Sequence, residues 1–347
     1  MKILGLITSP TDPASRARIM QYKNYFGEAG VELTPRFFSP FREADPAPWT
    51  YKLKKLTTIN EWRTANIFKS LARLPLLIQQ YNYDIIWQNR LVLPHHFFFE
   101  NKFSKPLVFD FDDAIWLNEG EKQVKAAISR AAMVFVGNHY LAEYASKFNK
   151  NINIIPTTID TIKLFPLNNE SENFNIGWIG SESNFKYLEI IKPAVLDFLS
   201  KNNDSRFTIV SSTKPPQLNF DNNQVIFKQW SADKENELIN EFSVGLMPLE
   251  NNNWTKGKCS YKMLQYMACG KPVIVSPVGM NNQLLAAGDI GYAAVNQQDW
   301  FNAIAEIKNN KKAAMQNGNN GRELVERDYS CTVMSTKIIN LFNTIKT

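Results

Sequence analysis

Short apolar runs alternate with longer amphipathic stretches along most of the chain, and this alternation strongly constrains the fold. The apolar runs predict buried strands, and the stretches between them have helical spacing. Because parallel strands need crossover connections, the pattern predicts parallel sheets with helices on both faces. The predicted strands are residues 2–7, 31–38, 84–88, 107–111, 133–136, 153–155, 175–179, 207–210, 224–227, 244–247, 272–276 and 291–294. The predicted helices are residues 15–29, 61–80, 121–131, 140–148, 186–199, 234–241, 261–268, 299–307 and 311 to about 345.

The polar segment LFPLNNESEN, residues 164–173, interrupts the alternation and is the best candidate for a linker. A chain of 347 residues is also long for a single domain. We therefore expect an α/β fold with two doubly wound, Rossmann-like domains facing a central cleft. The expected parts are a first domain at 1–165, a linker at 166–173, a second domain at 174–328 and a C-terminal helix at 329–347 that packs back on the first domain. Ligands of such sheets bind beyond the carboxyl ends of the strands, so the cleft is the expected site.

The net charge of +6 is unevenly distributed: residues 1–150 hold 20 Lys and Arg against 14 Asp and Glu, whereas residues 151–347 hold 19 of each. A basic first half indicates an anionic partner, which leaves nucleic acid, a phosphorylated substrate and an anionic membrane surface open. The first apolar run is too short for a signal peptide, and no run is long enough to span a bilayer. Three widely spaced cysteines without a CxxC pair fit a reducing cytoplasm.

The stretch KCSYKMLQYMACGKPVIVSPVG, residues 258–279, predicts a loop, a helix at 261–268, a glycine stop at Gly270 and a buried strand. Ser260 is the expected N-cap of that helix. A helix N-terminus attracts anions, so Lys258 and Lys262 oppose the helix dipole there. Two cations at this end are favourable when a doubly charged group such as a diphosphate binds. The alternative is that both lysines simply point into solvent.

Several motifs resemble those of the retaining, group 1 (family 4) glycosyltransferases of the GT-B fold, and they occur in the expected order over nearly the whole chain. They are ASRAR at 14–18, DFDDAIW at 110–116, IPTTID at 155–160, GWIGS at 177–181 and the segment 248–279 that contains MACG. The resemblance implies transfer of a sugar from a nucleotide-sugar to an acceptor with retained configuration. It also implies that the second domain binds the nucleotide, that the first binds the acceptor, and that neither a metal nor another cofactor is needed.

The resemblance, together with the positions of residues at strand ends and helix starts, assigns residues to the site. The expected donor-binding residues are Gly180, Ser181, Gly257, Lys258, Ser260, Tyr261 and Gln265. The expected catalytic residues are Asp112, Asp113, Lys186 and Lys262, and the expected acceptor or phosphate contacts are Arg16, Arg18, Arg90, Asn138 and His139. Many family members carry two glutamates where this chain has Gly257 and Gln265, and an arginine where it has Ser181. We infer that Lys258 or Lys262 supplies the missing positive charge, and that Gln265 contacts the ribose hydroxyls.

Other interpretations of the sequence stay open at this point. Asp110 and Asp112 form a DxD pair that is typical of Mg²⁺ or Mn²⁺ sites, although loop carboxylates that cap a helix are an alternative. The segment 51–73 mixes six Lys and Arg with apolar residues at helical spacing, which suits an interfacial helix near a lipid-linked acceptor as well as an ordinary surface helix. The rival functions are a non-catalytic nucleotide-sugar-binding protein, a GT-B sugar-nucleotide epimerase and, less favoured, a nucleic-acid-binding protein. The resemblance to the family also implies a role in bacterial surface-polysaccharide or protein-glycan assembly, at the cytoplasmic face of the membrane.

Overall fold

The computed structural model describes residues 1–9, 12–37, 74–91, 100–168, 173–215 and 222–346. The chain divides into two compact units: a first unit, Met1–Pro156 with Met334–Thr347, and a second unit, Thr157–Val333. The basic segment 51–73 and the adjacent histidines His95 and His96 lie outside the described residues. Among the described residues, no helix combines the length and the apolar character that crossing a membrane requires.

The first unit contains a six-stranded parallel sheet in the order β2-β1-β3-β4-β5-β6. Its strands are β1 (Lys2–Ile7), β2 (Glu32–Phe37), β3 (Ile85–Asn89), β4 (Leu107–Phe111), β5 (Met133–Val136) and β6 (Ile152–Ile154). All residues of β3, β4 and β5 are buried. Strands covered on both faces consist of continuous apolar runs, and for this reason the sequence pattern located them.

The helices of the first unit are α1 (Pro13–Arg18), α2 (Lys23–Glu28), α3 (Leu74–Gln79), α4 (Glu121–Arg130) and α5 (His139–Ser146). The single helix predicted at 15–29 is wrong, because the chain leaves helical geometry at Ile19, where φ is −125°. Ile19 is fully buried, and its Cγ2 lies 2.9 Å from the position that a Cβ on Gly5 would occupy. The break therefore lets Ile19 pack tightly against β1.

The second unit contains another six-stranded parallel sheet, in the order β12-β11-β10-β7-β8-β9. Its strands are β7 (Phe174–Ile179), β8 (Ser205–Ser211), β9 (Val225–Gln229), β10 (Val244–Met247), β11 (Val273–Val275) and β12 (Gly291–Ala293). Two parallel six-stranded sheets with flanking helices confirm the predicted α/β class. In this unit the strand order is that of a doubly wound Rossmann fold.

The helices of the second unit are α6 (Leu188–Ser200), α7 (Glu235–Asn240), α8 (Asn253–Lys256), α9 (Tyr261–Ala268), α10 (Met280–Ala286), α11 (Gln297–Asn309) and α12 (Lys311–Leu324). The asparagine-rich run 317–320 lies inside α12. A Cβ on Gly318 would lie 2.0 Å from the carbonyl oxygen of Gly270, so only glycine allows this close approach. Gly270 itself has a φ of +66° and ends α9, as predicted.

The C-terminal part of the chain is not the single helix that the sequence predicts. A π-helical turn, Val325–Tyr329, follows α12, and the chain is extended at Ser330 before α13 (Cys331–Asn343) begins. A parallel β-bridge joins Ile159 and Ser330, which explains the extended residue. Within the first unit, the ring of Phe342 lies 5.4 Å from Trp87 and 5.6 Å from Phe135, so the chain end contributes to that unit's aromatic core.

Candidate functional site

The second unit has a topological switch point at the carboxyl ends of β7 and β10. Strand β7 is the first of this sheet along the chain, and its neighbours are β8 on one side and β10 on the other. From β7 the chain adds β8 and β9 on one side of the sheet, and it then adds β10, β11 and β12 on the other side. This reversal of direction opens a crevice between β7 and β10. The crevice is the expected ligand site of a doubly wound sheet.

Tyr266 of α9 occupies the space between these two strands. Gly245 of β10 and Gly177 of β7 are paired residues. Beyond this pair, the Tyr266 hydroxyl accepts a hydrogen bond from the Ile179 N–H at 3.0 Å and donates one to the Leu246 carbonyl at 3.2 Å. A Cβ on Gly245 would lie 2.3 Å from the ring, so the glycine makes room for it. Burial raises the pKa of Tyr266, which keeps the hydroxyl protonated as a donor. Tyr266 therefore fixes the start of the crevice, a role that the sequence analysis missed.

Lys262 lies on the first turn of α9, at this same edge of the sheet. Its ammonium lies 5.4 Å from the centroid of the Trp178 ring. Its Cε lies 2.6 Å from the position that a Cβ on Gly180 would take. Gly180 follows β7 directly, and its N–H donates to the Val210 carbonyl at 3.0 Å. The structure thus brings together two of the predicted site residues, Gly180 and Lys262.

Lys258 precedes the same helix and contacts a second tryptophan. Its ammonium lies 5.5 Å from the centroid of the Trp254 ring. Helix α8, which carries Trp254, begins with a capping box formed by Asn252 and Thr255. Gly257 is the C-cap of α8, and its N–H donates to the Trp254 carbonyl at 3.1 Å. The predicted pair Gly257 and Lys258 therefore forms the turn between α8 and α9.

Ser260 occupies the N-cap position of α9, but its predicted side-chain cap is wrong. Its backbone is left-handed, with φ 54° and ψ 28°, and its side chain makes no hydrogen bond to the first turn. Instead its hydroxyl donates to Asn281 Oδ1 at 2.7 Å. Asn281 is fully buried and donates in turn to the Ser276 carbonyl at 3.0 Å. The N–H groups of the first turn of α9, including that of Tyr261, are thus not capped by Ser260.

Two further predicted donor-binding residues, Ser181 and Gln265, and the predicted catalytic residue Lys186 also lie in the second unit. Ser181 is exposed, and its hydroxyl contacts the Ser183 hydroxyl at 3.1 Å and accepts from Asn184 at 2.8 Å. Lys186 is exposed at the end of a 3₁₀-helix, and its ammonium lies 5.1 Å from the Tyr187 ring centroid. Gln265 lies one turn after Tyr261 on α9 and is 3% exposed.

In the first unit, the predicted residues Asp112 and Asp113 pair with Arg90. One guanidinium nitrogen of Arg90 lies 2.5 Å from Asp113 Oδ2 and 3.3 Å from Asp112 Oδ1, and another lies 3.7 Å from Glu119. Burial alone would lower the pKa of Arg90, but the three carboxylates raise it. Burial raises the pKa of Glu119 to about 7, although Arg90 opposes the shift. The two aspartates are therefore held by an arginine, and α4 begins after Gly120 without a side-chain cap.

The predicted contact of Arg18 with a ligand phosphate is wrong, because its side chain is only 1% exposed. Its Nε donates to Asp110 Oδ1 at 2.9 Å and another nitrogen donates to the Ile155 carbonyl at 2.6 Å. Trp87 donates to the second oxygen of Asp110 at 2.9 Å. Burial raises the pKa of Asp110 to about 6, while Arg18 acts in the opposite direction. This pair belongs to the core, so Asp110 does not face a metal ion as a DxD site requires.

The remaining predicted residues of the first unit have different surroundings. Arg16 of α1 is partly exposed. Asn138 is buried and caps α5 by accepting from the Leu141 N–H at 3.0 Å, which gives it a structural role. His139, the first residue of α5, is exposed. Across the described part of the chain, no group of three or more His, Cys, Asp and Glu is placed to hold a metal ion.

The comparisons with known proteins agree with this geometry. Residues 173–310 match the family model described as Glycosyl transferases group 1. Sucrose-phosphate synthase from Thermosynechococcus elongatus is similar in structure, with a TM-score of 0.73 at 16% identity over 99% of this chain and 98% of that chain. Anabaena HepE in complex with UDP and glucose gives 0.70 at 14% identity over 99% of both chains. A glycosyltransferase from Rickettsia africae gives 0.71 at 13% identity over 99% and 98%. None of the curated proteins is similar enough in sequence to match.

The structural likeness covers the whole chain and, at these identities, establishes the GT-B fold. The family match covers the segment that carries β7, the switch point and α9. It confirms the resemblance that the sequence motifs indicated. Residues 173–310 are thus similar to the group 1 glycosyl transferases, and the chain as a whole has the GT-B fold.

Proposed function

We propose that the chain transfers a sugar from a nucleotide-sugar to a glycan or lipid-linked acceptor, with retention of the anomeric configuration. The observation that carries the proposal is the pair of cations, Lys258 and Lys262, at the start of α9. Ser260 leaves this start without a side-chain cap. The N-terminus of a helix and two ammonium groups together suit the diphosphate of a nucleotide-sugar.

The donor assignment follows from the position of these residues. They lie beside the switch point of the sheet that matches the family, where doubly wound folds bind nucleotides. HepE, a structural neighbour at 14% identity, has been solved in complex with UDP-glucose. We assign the diphosphate to Lys258, Lys262 and Lys186, and the ribose to Gln265. Gly257, Ser181 and Tyr261 contribute backbone or hydroxyl contacts to the same ligand.

The chemistry that we propose needs no nucleophile from the protein. The bond between the anomeric carbon and the leaving diphosphate oxygen breaks, and the acceptor oxygen forms the new bond on the same face of the sugar. The leaving diphosphate oxygen accepts the proton of the acceptor hydroxyl. The protein contributes alignment of the two substrates and positive charge near the departing diphosphate. Lys262 and Lys258 supply that charge.

The first unit binds the acceptor in this proposal. Asp112 and Asp113 are partly exposed, and the contacts with Arg90 fix their direction. Fixed carboxylates are suited to accept hydrogen bonds from sugar hydroxyls. Arg16 and His139 are further candidates for contact with an acceptor phosphate. The excess of basic residues in 1–150 supports contact with an anionic membrane surface, where a lipid-linked acceptor in surface-polysaccharide or protein-glycan assembly would be found.

The test is the thermal stability of the protein with UDP-, GDP-, ADP-, TDP- and CMP-sugars. A ligand at 100 times its Kd stabilises the folded state by about 2.7 kcal/mol, so a productive donor raises the Tm. Lys262→Met is expected to weaken donor binding at least tenfold. Lys312→Met is the matched control, because Lys312 is exposed and lies on the first turn of α12, as Lys262 does on α9.

Two results would contradict the proposal. One is that no nucleotide-sugar raises the Tm of the wild type. The other is that Lys262→Met and Lys312→Met bind the donor equally well. Transfer is then measured with the selected donor and candidate glycan acceptors, and the anomeric configuration of the product is determined by NMR. Donor binding without acceptor-dependent release of the nucleoside diphosphate would favour a binding protein over an enzyme.

A further inference from the structure

We propose that Trp178 and Gly180 are positioning residues that hold the ammonium of Lys262 for the diphosphate of the donor. The inference rests on the proposed function and extends it to two residues that need not touch the ligand. Its basis is the path of the Lys262 side chain, which runs over Gly180 and ends at the Trp178 ring.

Trp178 is a fixed platform for this cation. It lies in the second-to-last position of β7 and is 1% exposed. Its ring packs against Phe185, with centroids 5.8 Å apart, and both belong to the core cluster of the second unit. A cation about 6 Å or less from an indole centroid is attracted by the ring, and indole is the best aromatic partner. The contact uses the ring face and consumes no N–H donor of the ammonium.

Gly180 is needed because the lysine chain fills the space of a side chain. A Cβ at this position would lie 2.6 Å from Lys262 Cε and 2.6 Å from the nearest ring atom of Trp178. Real Cβ contacts are not that short, so an alanine at this position disturbs both the lysine chain and the indole ring, and with them the contact between the two. The predicted donor contact of Gly180 thus has an alternative explanation, which is the packing of Lys262.

Holding the lysine in place matters for affinity. A lysine has a long flexible stem, and fixing it when a ligand binds costs rotamer entropy. A stem that is already fixed in the free protein avoids part of that cost, which is the advantage of preorganisation. We therefore expect loss of the platform to weaken diphosphate binding about five- to tenfold, which is less than loss of the lysine itself.

The same unit offers a matched comparison. The ammonium of Lys258 lies 5.5 Å from the Trp254 centroid, nearly the same distance as in the first pair. However, Trp254 is only partly buried and belongs to α8, a helix of four residues. It lies outside the core of the sheet, so its replacement tests a tryptophan–lysine contact that has no such rigid platform. We expect Trp254→Leu to change diphosphate binding less than Trp178→Leu does.

The experiment measures Kd by calorimetry for UDP and UMP, or for the corresponding pair if the stability panel selects another base. Gly180→Ala and Trp178→Leu are expected to raise the Kd of the diphosphate five- to tenfold and that of the monophosphate less than twofold. Trp178→Phe, which retains an aromatic face, is expected to keep most of the diphosphate affinity. If Trp178→Leu does not fold, Trp178→Phe and Gly180→Ala are compared with the same nucleotides, because a Cβ on Gly180 would meet both Lys262 Cε and the Trp178 ring at 2.6 Å.

Three outcomes would overturn the inference. Gly180→Ala with unchanged diphosphate affinity would show that the path of Lys262 is unimportant. Equal losses of affinity for the nucleoside diphosphate and the monophosphate would show a general structural effect rather than positioning of one cation. If the wild type binds neither nucleotide while folded, the proposed function fails as well, and that result is recognised without any variant.

Discussion

Ser260→Gly is expected to have opposite effects on stability in the presence and absence of Asn281. Ser260 is held in a left-handed conformation, with φ 54°, while its hydroxyl donates to Asn281 at 2.7 Å. A left-handed backbone costs a non-glycine residue roughly 1–2 kcal/mol. In this structure the strain is offset by a hydrogen bond to a partner 21 residues away. Glycine removes the strain and the hydrogen bond together.

The expected changes in stability follow from the backbone strain of Ser260 and from its hydrogen bond to Asn281. In the wild type, glycine loses a hydrogen bond and leaves Asn281 Oδ1 without that donor, which costs about 1–3 kcal/mol. Relief of the backbone strain stabilises the glycine variant, but the greater freedom of its unfolded chain reduces this gain by about 0.4–1 kcal/mol. The remaining gain offsets part of the cost of the lost hydrogen bond. In the Asn281→Ala background the bond is already absent, and a buried serine hydroxyl has lost its partner. There glycine removes both the strain and that hydroxyl, so Ser260→Gly is expected to stabilise by about 1–2 kcal/mol.

The assay is a double-mutant cycle of thermal unfolding with Ser260→Gly and Asn281→Ala. For a cooperative unit of 150–250 residues, 1 kcal/mol corresponds to about 2–4 °C in Tm. The second unit, Thr157–Val333, is of this size. We expect the glycine variant to melt below the wild type, and the double variant to melt at least 2 °C above Asn281→Ala. An ordinary serine N-cap would make glycine unfavourable in both backgrounds, so additive effects would refute the reasoning.

Two further predictions concern packing and pH dependence. Gly318→Ala is expected to lower the free energy of unfolding by at least about 1–3 kcal/mol, because its Cβ would meet the Gly270 carbonyl at 2.0 Å. Gly27→Ala in α2, where a Cβ would meet nothing within 4 Å, is the control and is expected to be neutral or stabilising in the same unfolding measurement. For Glu119, burial raises the pKa from 4.5 to about 7, so the folded state binds this proton more tightly and its contribution to stability is lost as the pH rises between those values. Glu119→Gln is expected to flatten that part of the Tm–pH curve, and an unchanged slope would contradict the assignment.

The strands were predictable because of their burial. All residues of β3 and β5, for example, lie in covered parallel sheets, and such strands are continuous apolar runs. The helix breaks were not predictable in this way. The break at Ile19 depends on a contact with Gly5, and the break at Ser330 depends on a bridge to Ile159. Both contacts are tertiary, and helical spacing continues through each of them in the sequence.

In the candidate site, too, features set by local sequence were predictable, whereas features set by tertiary contacts were not. Helix α9 has the predicted bounds, because Gly270 is a strong local stop signal. The left-handed backbone of Ser260 carries no local signal, since it depends on Asn281. Arg18 was assigned wrongly because its partner, Asp110, is 92 residues away. A signal was present, however: a carboxylate inside a buried apolar strand needs a cationic or hydrogen-bonding partner.

The charged residues of the candidate site therefore have different roles in the two units. In the first unit, Arg90 is surrounded by three carboxylates, so its guanidinium serves chiefly to fix their direction. In the second unit, the ammonium groups of Lys258 and Lys262 each lie near the face of an indole ring, which attracts a cation. In the proposed function, positive charge held in a fixed direction stabilises the leaving diphosphate. If the proposal holds, lysines occur at the unfavourable end of α9 because the indole rings position them for the diphosphate, which the helix N-terminus also attracts.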